Sequence, residues 1–217
     1  MSNENSLIII AKYPEKENVM TRLKDKMTDE ERLRLYESLL QQTVHKLKSI
    51  PGVDTCIAFA PPDSEEYFLN FGVHLIPLPA GDLGIRMFHA FKEVFIKGYA
   101  RAALVGVDIP DLSGSIITRA FKLLSVNDLV FGPANDGGYY MVGMSSLVKE
   151  VFEDVPWSTE ETLQSSLDKA GHYGYSVGFT ETLSDIDTVK DLKNLDLISA
   201  EYNRSYIRCK TNNHSHK

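Results

Sequence analysis

Short apolar runs rich in β-branched residues alternate along the chain with longer segments of helical period, the pattern of a sheet with helices on both faces. The runs predict strands over residues 7–12, 55–60, 74–78, 102–107, 128–131, 139–143 and 175–179. Several, such as Ala102-Ala103-Leu104-Val105, are apolar without interruption, as strands covered on both faces are. Between them the spacing predicts helices over 28–50, 64–71, 85–97, 115–124, 146–152, 159–170 and 188–202. The first has the clearest limits. Thr28 and Glu31 have capping-box spacing, Leu33, Tyr36, Leu40, Val44 and Leu47 form one stripe, and Pro51-Gly52 stops it. Ser158 and Glu161 repeat the capping pattern ahead of the sixth helix.

No internal repeat or Pro/Gly/Ser-rich linker divides the 217 residues. They are expected to form one doubly wound α/β domain with a mostly parallel sheet over 1–204, followed by a polar, disordered tail over 205–217. With 43% hydrophobic and 24% charged residues the chain is an ordinary globular one, which excludes disorder as its main state. Thirty acidic against 23 basic residues give a net charge of -7, so no diffuse positive field exists to hold nucleic acid. Cys56 lies in an apolar run far from Cys209, which suits reduced thiols better than a disulfide. The longest N-terminal apolar run, residues 7–11, is too short for a membrane span or a secretory signal. A cytoplasmic location is expected.

In open α/β sheets ligands gather at the carboxyl ends of the strands, so the strand-end junctions are where chemistry is sought. After the first strand, Lys12, Lys16, Arg22 and Lys24 make a basic loop that suits an anion or is simply solvated. It lacks the glycines of a P-loop or a dinucleotide fingerprint. Gly81-Asp82-Leu83-Gly84, just ahead of Arg86, either brings backbone amides to a ligand or makes a tight strand-to-helix turn. Asp108 ends a buried apolar strand, where an unpartnered carboxylate is costly, and a divalent cation shared with phosphate oxygens is the partner that fits best. Asp111, before Leu112-Ser113-Gly114, reads as a helix N-cap. Asp136, ahead of Gly137-Gly138-Tyr139, projects from a sharp turn that a hairpin would also show. Of Asp185 and Asp187, one caps the last helix while the other points elsewhere.

Taken in order, Ala11-Lys12 to Thr21-Arg22-Leu23, Gly81 to Gly84 with Arg86-Met87, Gly106 to Leu112, Gly132 to Tyr140, Pro156-Trp157-Ser158-Thr159 and Asp185 to Leu192 resemble a bacterial family of glycosyltransferase-A-like proteins. The resemblance covers roughly residues 6–195. It implies the nucleotide-diphospho-sugar transferase fold, which is shared with molybdopterin and phospholactate nucleotidyltransferases. It further implies Mg or Mn held by Asp108 and Asp187, phosphates held by the loop from Lys12 to Arg22, and a nucleotide facing Gly81, Asp82, Gly84 and Arg86. Asp136 would orient or deprotonate an acceptor hydroxyl, with Gly137, Gly138, Tyr139 and Trp157 on the acceptor side.

Relatives place a Gly and a Lys where this chain has Glu17 and Met20. One lost charge-assisted phosphate contact, worth about 1.5–3 kcal/mol, weighs more heavily against a triphosphate donor than against a diphospho-sugar. The expected function is therefore a metal-dependent transferase using a nucleotide-diphospho-sugar and an acceptor the sequence does not name. The alternatives are nucleotidyl transfer to a phosphorylated small molecule, and a degenerate, non-catalytic nucleotide-binding module.

Overall fold

A computed structural model describes residues 3–186. Asp187, the helix expected over 188–202 and the tail with Cys209 lie outside the described residues. The apolar runs become β1 (Asn5–Lys12), β2 (Val53–Ala60), β3 (His74–Pro77), β4 (Arg101–Val105), β5 (Leu129–Pro133), β6 (Tyr139–Met144) and β7 (Val177–Phe179). They pair in one seven-stranded sheet of order β3-β2-β1-β4-β6-β5-β7. All strands run the same way except β6, which is antiparallel to both β4 and β5. The reason is local: residues 134–138 alone join β5 to β6, too few for a crossover helix, so the chain turns back on itself.

The helices are α1 (Asp29–Leu47), α2 (Glu65–Leu69), α3 (Leu83–Ile96), α4 (Gly114–Leu123) and α5 (Thr162–His172). Successive β1 side chains alternate between two cores. Leu7, Ile9 and Ala11 pack with Tyr36, Leu40 and Val44 of α1 and Ile117 and Phe121 of α4, whereas Ile8 packs with Met87, Phe91 and Val94 of α3 and Ala170 of α5. The sheet is therefore covered on both faces, which is why its central strands carry no polar alternation. The chain has the doubly wound, mostly parallel α/β architecture expected of it.

Three local expectations fail for identifiable reasons. Residues 146–152 hold only a three-residue 3-10 turn, Glu150–Phe152. Val148, Val151 and Phe152 are buried at helical spacing, but a bend and one tight turn deliver them to the core equally well. Ser158 does not cap a helix: its φ is 64°, and α5 begins at Thr162, because the Thr159 and Thr162 hydroxyls both donate to the Pro156 carbonyl and shape a separate turn. Asp111 does not cap α4 either. Ser113 occupies that position, with its hydroxyl against that of Ser115.

Candidate functional site

Leaving β1, the chain builds β2 and β3 on one side, then returns through α3 to place β4 on the other. At such a reversal the loops diverge and a crevice opens at the carboxyl ends of the strands. Here two adjoining cavities occupy it, of about 550 and about 210 Å³. Asp108, Asp185 and Trp157 line both, so they form the partition between the two lobes.

The larger lobe is floored by the end of β1 and roofed by the loop that follows it. Lys12 stands at the end of β1, and its backbone N–H donates to the Tyr36 hydroxyl at 2.7 Å. Burial, together with the nearby Asp108 carboxylate, pushes the Tyr36 phenol up, so it stays protonated. Asp82 caps α3 by accepting from the Ile85 N–H at 2.8 Å, which aims the first turn of that helix and its Arg86 at the lobe. The Nε of Arg86 is buried without a hydrogen-bond partner among the described residues. Lys12 and Arg86 make no ion pair among the described residues, so both are placed to meet an anion that enters the lobe, although Asp82, Asp108 and Asp185 line it too.

Arg32 sets the loop in place. Its side chain is fully buried, and its guanidinium donates to the carbonyls of Val19 (2.8 Å) and Lys16 (3.2 Å) and pairs with Asp29. The loop it pins carries Asn18, Met20, Thr21 and Arg22 along the lobe, with Met20 in the left-handed region at φ 48°. Met20 thus puts a thioether at the wall where relatives are expected to carry a cation, while Glu17 is exposed and outside the lining.

The smaller lobe is built by the β5–β6 turn and the segment ahead of α5. Asp136, Gly138, Tyr139, Tyr140, Thr159 and Thr162 line it. The turn's shape depends on Gly137 at φ 87°, where an added Cβ would lie 2.3 Å from the Glu160 carbonyl oxygen. Tyr139 meets Trp157 edge-on at 6.4 Å. Its hydroxyl approaches Ser166, whose own hydroxyl is committed to the Val151 carbonyl, and it has no partner at hydrogen-bond geometry. Burial pushes this phenol up as well.

The lobes are tied together by charge. The Arg22 guanidinium lies 3.0 Å from Asp136 Oδ2 and 3.6 Å from Asp185 Oδ2. Asp136 also accepts from the Gly138 N–H through its other oxygen, at 2.9 Å. Three segments far apart in sequence therefore converge on one ion-pair network. Of the residues expected at the site, Lys12, Arg22, Asp82, Arg86, Asp108, Asp136, Gly138, Tyr139 and Trp157 line the crevice. Gly81, Gly84 and Gly137 act behind it; Gly84 lets α3 approach Trp157, where a Cβ would come within 2.8 Å of the ring. In the sequence Arg32 and Tyr36 carry no signal beyond their helix positions, and Asp185 is not distinguished from Asp187 as the capping residue.

The Mg or Mn implied by the resemblance was tested against these side chains. Among the described residues no group of three or more His, Cys, Asp or Glu side chains is arranged to hold a metal ion. Asp187 lies outside them, and Asp136 and Asp185 already share the Arg22 guanidinium. The described donor set does not fit a divalent ion. Among the described residues no helix is long and apolar enough to cross a membrane.

Residues 43–159 match the profile of a family described as "Uncharacterized protein conserved in bacteria (DUF2064)". No curated protein matches the chain. Among solved structures, a "putative nucleotide-diphospho-sugar transferase" from Desulfovibrio desulfuricans G20 is 30% identical, with a TM-score of 0.80 over 86% of this chain and 84% of that one. The 4-diphosphocytidyl-2C-methyl-D-erythritol synthase of Anaerococcus prevotii DSM 20548 shares the fold at 10% identity and TM-score 0.59, over 90% and 96% of the two chains. Glucosyl-3-phosphoglycerate synthase of Mycobacterium tuberculosis, solved with Mn²⁺, uridine diphosphate and glucosyl-3-phosphoglycerate, does so at 9% and 0.53, over 83% and 70%. The fold is that of the nucleotide-diphospho-sugar transferases, a group that spans glycosyl and nucleotidyl transfer.

Proposed function

The chain belongs to the DUF2064 family, and we propose that it is a glycosyl transferase whose larger lobe takes the nucleoside diphosphate part of a nucleotide sugar and whose smaller lobe takes a hydroxyl acceptor. The observation that carries this reading is the placing of cations: Lys12, Arg22 and Arg86 line the larger lobe alone, Lys12 and Arg86 make no ion pair among the described residues, and Asp136 lines the smaller lobe alone. Lys12, Arg86 and the N-terminal end of α3 would hold the diphosphate and stabilise the charge that grows on it as it leaves. The acceptor hydroxyl would attack the anomeric carbon while the bond from that carbon to the diphosphate oxygen breaks. Asp136 would accept the hydroxyl's hydrogen bond and take its proton. Arg22 would keep Asp136 aimed across the partition rather than towards solvent. Glucosyl-3-phosphoglycerate synthase and 4-diphosphocytidyl-2C-methyl-D-erythritol synthase show by name that this fold serves both transfers, and the wall at Met20, without a cation for a third phosphate, favours the diphospho-sugar.

Calorimetric titration with the diphosphates of uridine, guanosine, cytidine, adenosine and thymidine tests the reading. One of them is expected to bind, and Lys12→Ala and Arg86→Ala are each expected to weaken it at least tenfold, since a charge-assisted contact is worth about 1.5–3 kcal/mol. Asp136→Asn should keep the nucleotide and lose transfer. Pyrophosphate released from a nucleoside triphosphate and a sugar phosphate would replace glycosyl by nucleotidyl transfer. Running the titration in EDTA and again in Mn²⁺ reports whether a cation is required.

A further inference from the structure

We infer that the smaller lobe selects an uncharged, polyhydroxylated acceptor of sugar size and rejects phosphorylated ones, an inference that rests on the transferase reading above. The lobe's charged lining among the described residues is Asp108, Asp136 and Asp185, with no Lys, Arg or His. A phosphate monoester needs cationic side chains or free amides; the Arg22 guanidinium at the lobe's edge is already shared by Asp136 and Asp185, and five amides around the lobe are already taken. The Gly138 N–H donates to Asp136 Oδ1, the Gly137 N–H to the Ala134 carbonyl, and the Leu163 N–H, in the first turn of α5, to the Gly137 carbonyl. The Thr159 and Glu161 amides donate to the hydroxyls of Thr162 and Thr159. The turn that looks like an anion cradle in the sequence is thus closed by its own carboxylate.

What the lobe offers instead is hydrogen-bond acceptors. Carboxylates accept only, so they match O–H donors. Tyr139 and Trp157 add an apolar wall of the kind that receives the C–H face of a sugar ring. At about 210 Å³ the lobe is smaller than the usual range for drug-sized ligands, which limits the seated group to a single small unit. An amine would also suit carboxylates, but the Arg22 guanidinium already supplies positive charge to Asp136 and Asp185, which leaves hydroxyl donors as the better complement.

Ligand-observed NMR on the full-length protein, saturated with the nucleoside diphosphate found by calorimetry, tests this. The probes are matched sets: glucose, glucose 6-phosphate and glucosamine; mannose, mannose 6-phosphate and mannosamine; glycerol, glycerol 3-phosphate and serinol. At least one neutral member should bind, with its phosphate and its amine at least tenfold weaker, and Asp136→Asn should narrow the gap to the phosphate. Asparagine keeps an acceptor for the Gly138 N–H; Asp185→Asn provides the same test should that variant not fold. Phosphates bound as well as their neutral partners, amines bound best, or no neutral member bound would each overturn the inference. Failure of every nucleoside diphosphate in the preceding titration would instead sink the transferase reading itself, so the two failures are distinct.

Discussion

A guanidinium buried in a protein usually answers a carboxylate, but that of Arg32 mostly answers backbone. It holds the Val19 and Lys16 carbonyls beneath the loop that roofs the larger lobe, while its acidic partner Asp29 is more than half exposed. Nothing in the residue order foretells this, because Arg32 sits between a capping Glu31 and the first residue of the apolar stripe, where arginine is ordinarily solvated. Charged hydrogen bonds are worth about 1.5–3 kcal/mol each, so Arg32→Ala should lower stability by about 3 kcal/mol, read from the urea midpoint. Arg32→Lys, which keeps the charge but not the fork, should lose less. A shift below about 0.5 kcal/mol for Arg32→Ala, no more than an ordinary surface substitution, would show that the loop is held by something else. Gly137 is the opposite case, since its role follows from the Asp-Gly turn signal but its severity does not. Gly137→Ala combines a left-handed backbone with a Cβ 2.3 Å from the Glu160 carbonyl oxygen, and should cost more than about 1 kcal/mol and disturb Asp136 with it.

At the scale of elements, the short edge strand β7 pairs with β5 alone and gains a side-chain anchor from one carboxylate. Asp128, just ahead of β5, accepts from both the backbone N–H of Ser176 (2.8 Å) and its hydroxyl (2.6 Å). These bonds hold the Asp128 carboxyl below its ordinary value. Because the folded pKa is the lower one, the stabilisation is present above the unfolded value of about 4 and is lost as pH falls through the folded value. The stability gap between the native chain and Asp128→Asn, from urea midpoints, should be constant between about pH 5 and 7 and shrink steadily below about pH 4. A gap independent of pH would remove Asp128 as the anchor. The strands of this sheet were legible because burial on both faces leaves them apolar throughout, and α1 because its cap, stripe and stop all agree. Residues 146–152, ahead of Trp157, were not, since buried residues at three- and four-residue spacing serve a 3-10 turn as readily as a helix; after Trp157 the helix was legible and only its cap was not. The site divides in the same way. Asp108 and Lys12 were found because they follow strands, whereas the Arg22–Asp136 contact joins residues 114 apart and belongs to the topology alone.

At the scale of the whole molecule, an acidic protein is proposed to hold an anion, and the two facts are reconciled by where the charge sits. The net charge of -7 belongs to the whole chain and is screened within about 8–10 Å in salt, whereas Lys12 and Arg86 line one crevice, and the Arg86 Nε is buried there, where screening is weaker. A ligand there would contact β1, the loop after it, α3 and the end of β4, and so would tie together elements from both halves of the sheet. Binding confined to the folded state at one hundred times the dissociation constant adds about 2.7 kcal/mol, which for a chain of this size raises Tm by about 5–10 °C. If Lys12→Ala and Arg86→Ala together weaken binding a hundredfold, the same ligand concentration adds only about 0.4 kcal/mol, and the shift nearly vanishes. Differential scanning fluorimetry of both proteins at one fixed nucleoside diphosphate concentration measures this directly. An equal shift in the double variant would mean that the nucleotide binds away from the β1–β4 crevice, and the gathering of Lys12 and Arg86 there would then have to be explained by something other than a donor diphosphate.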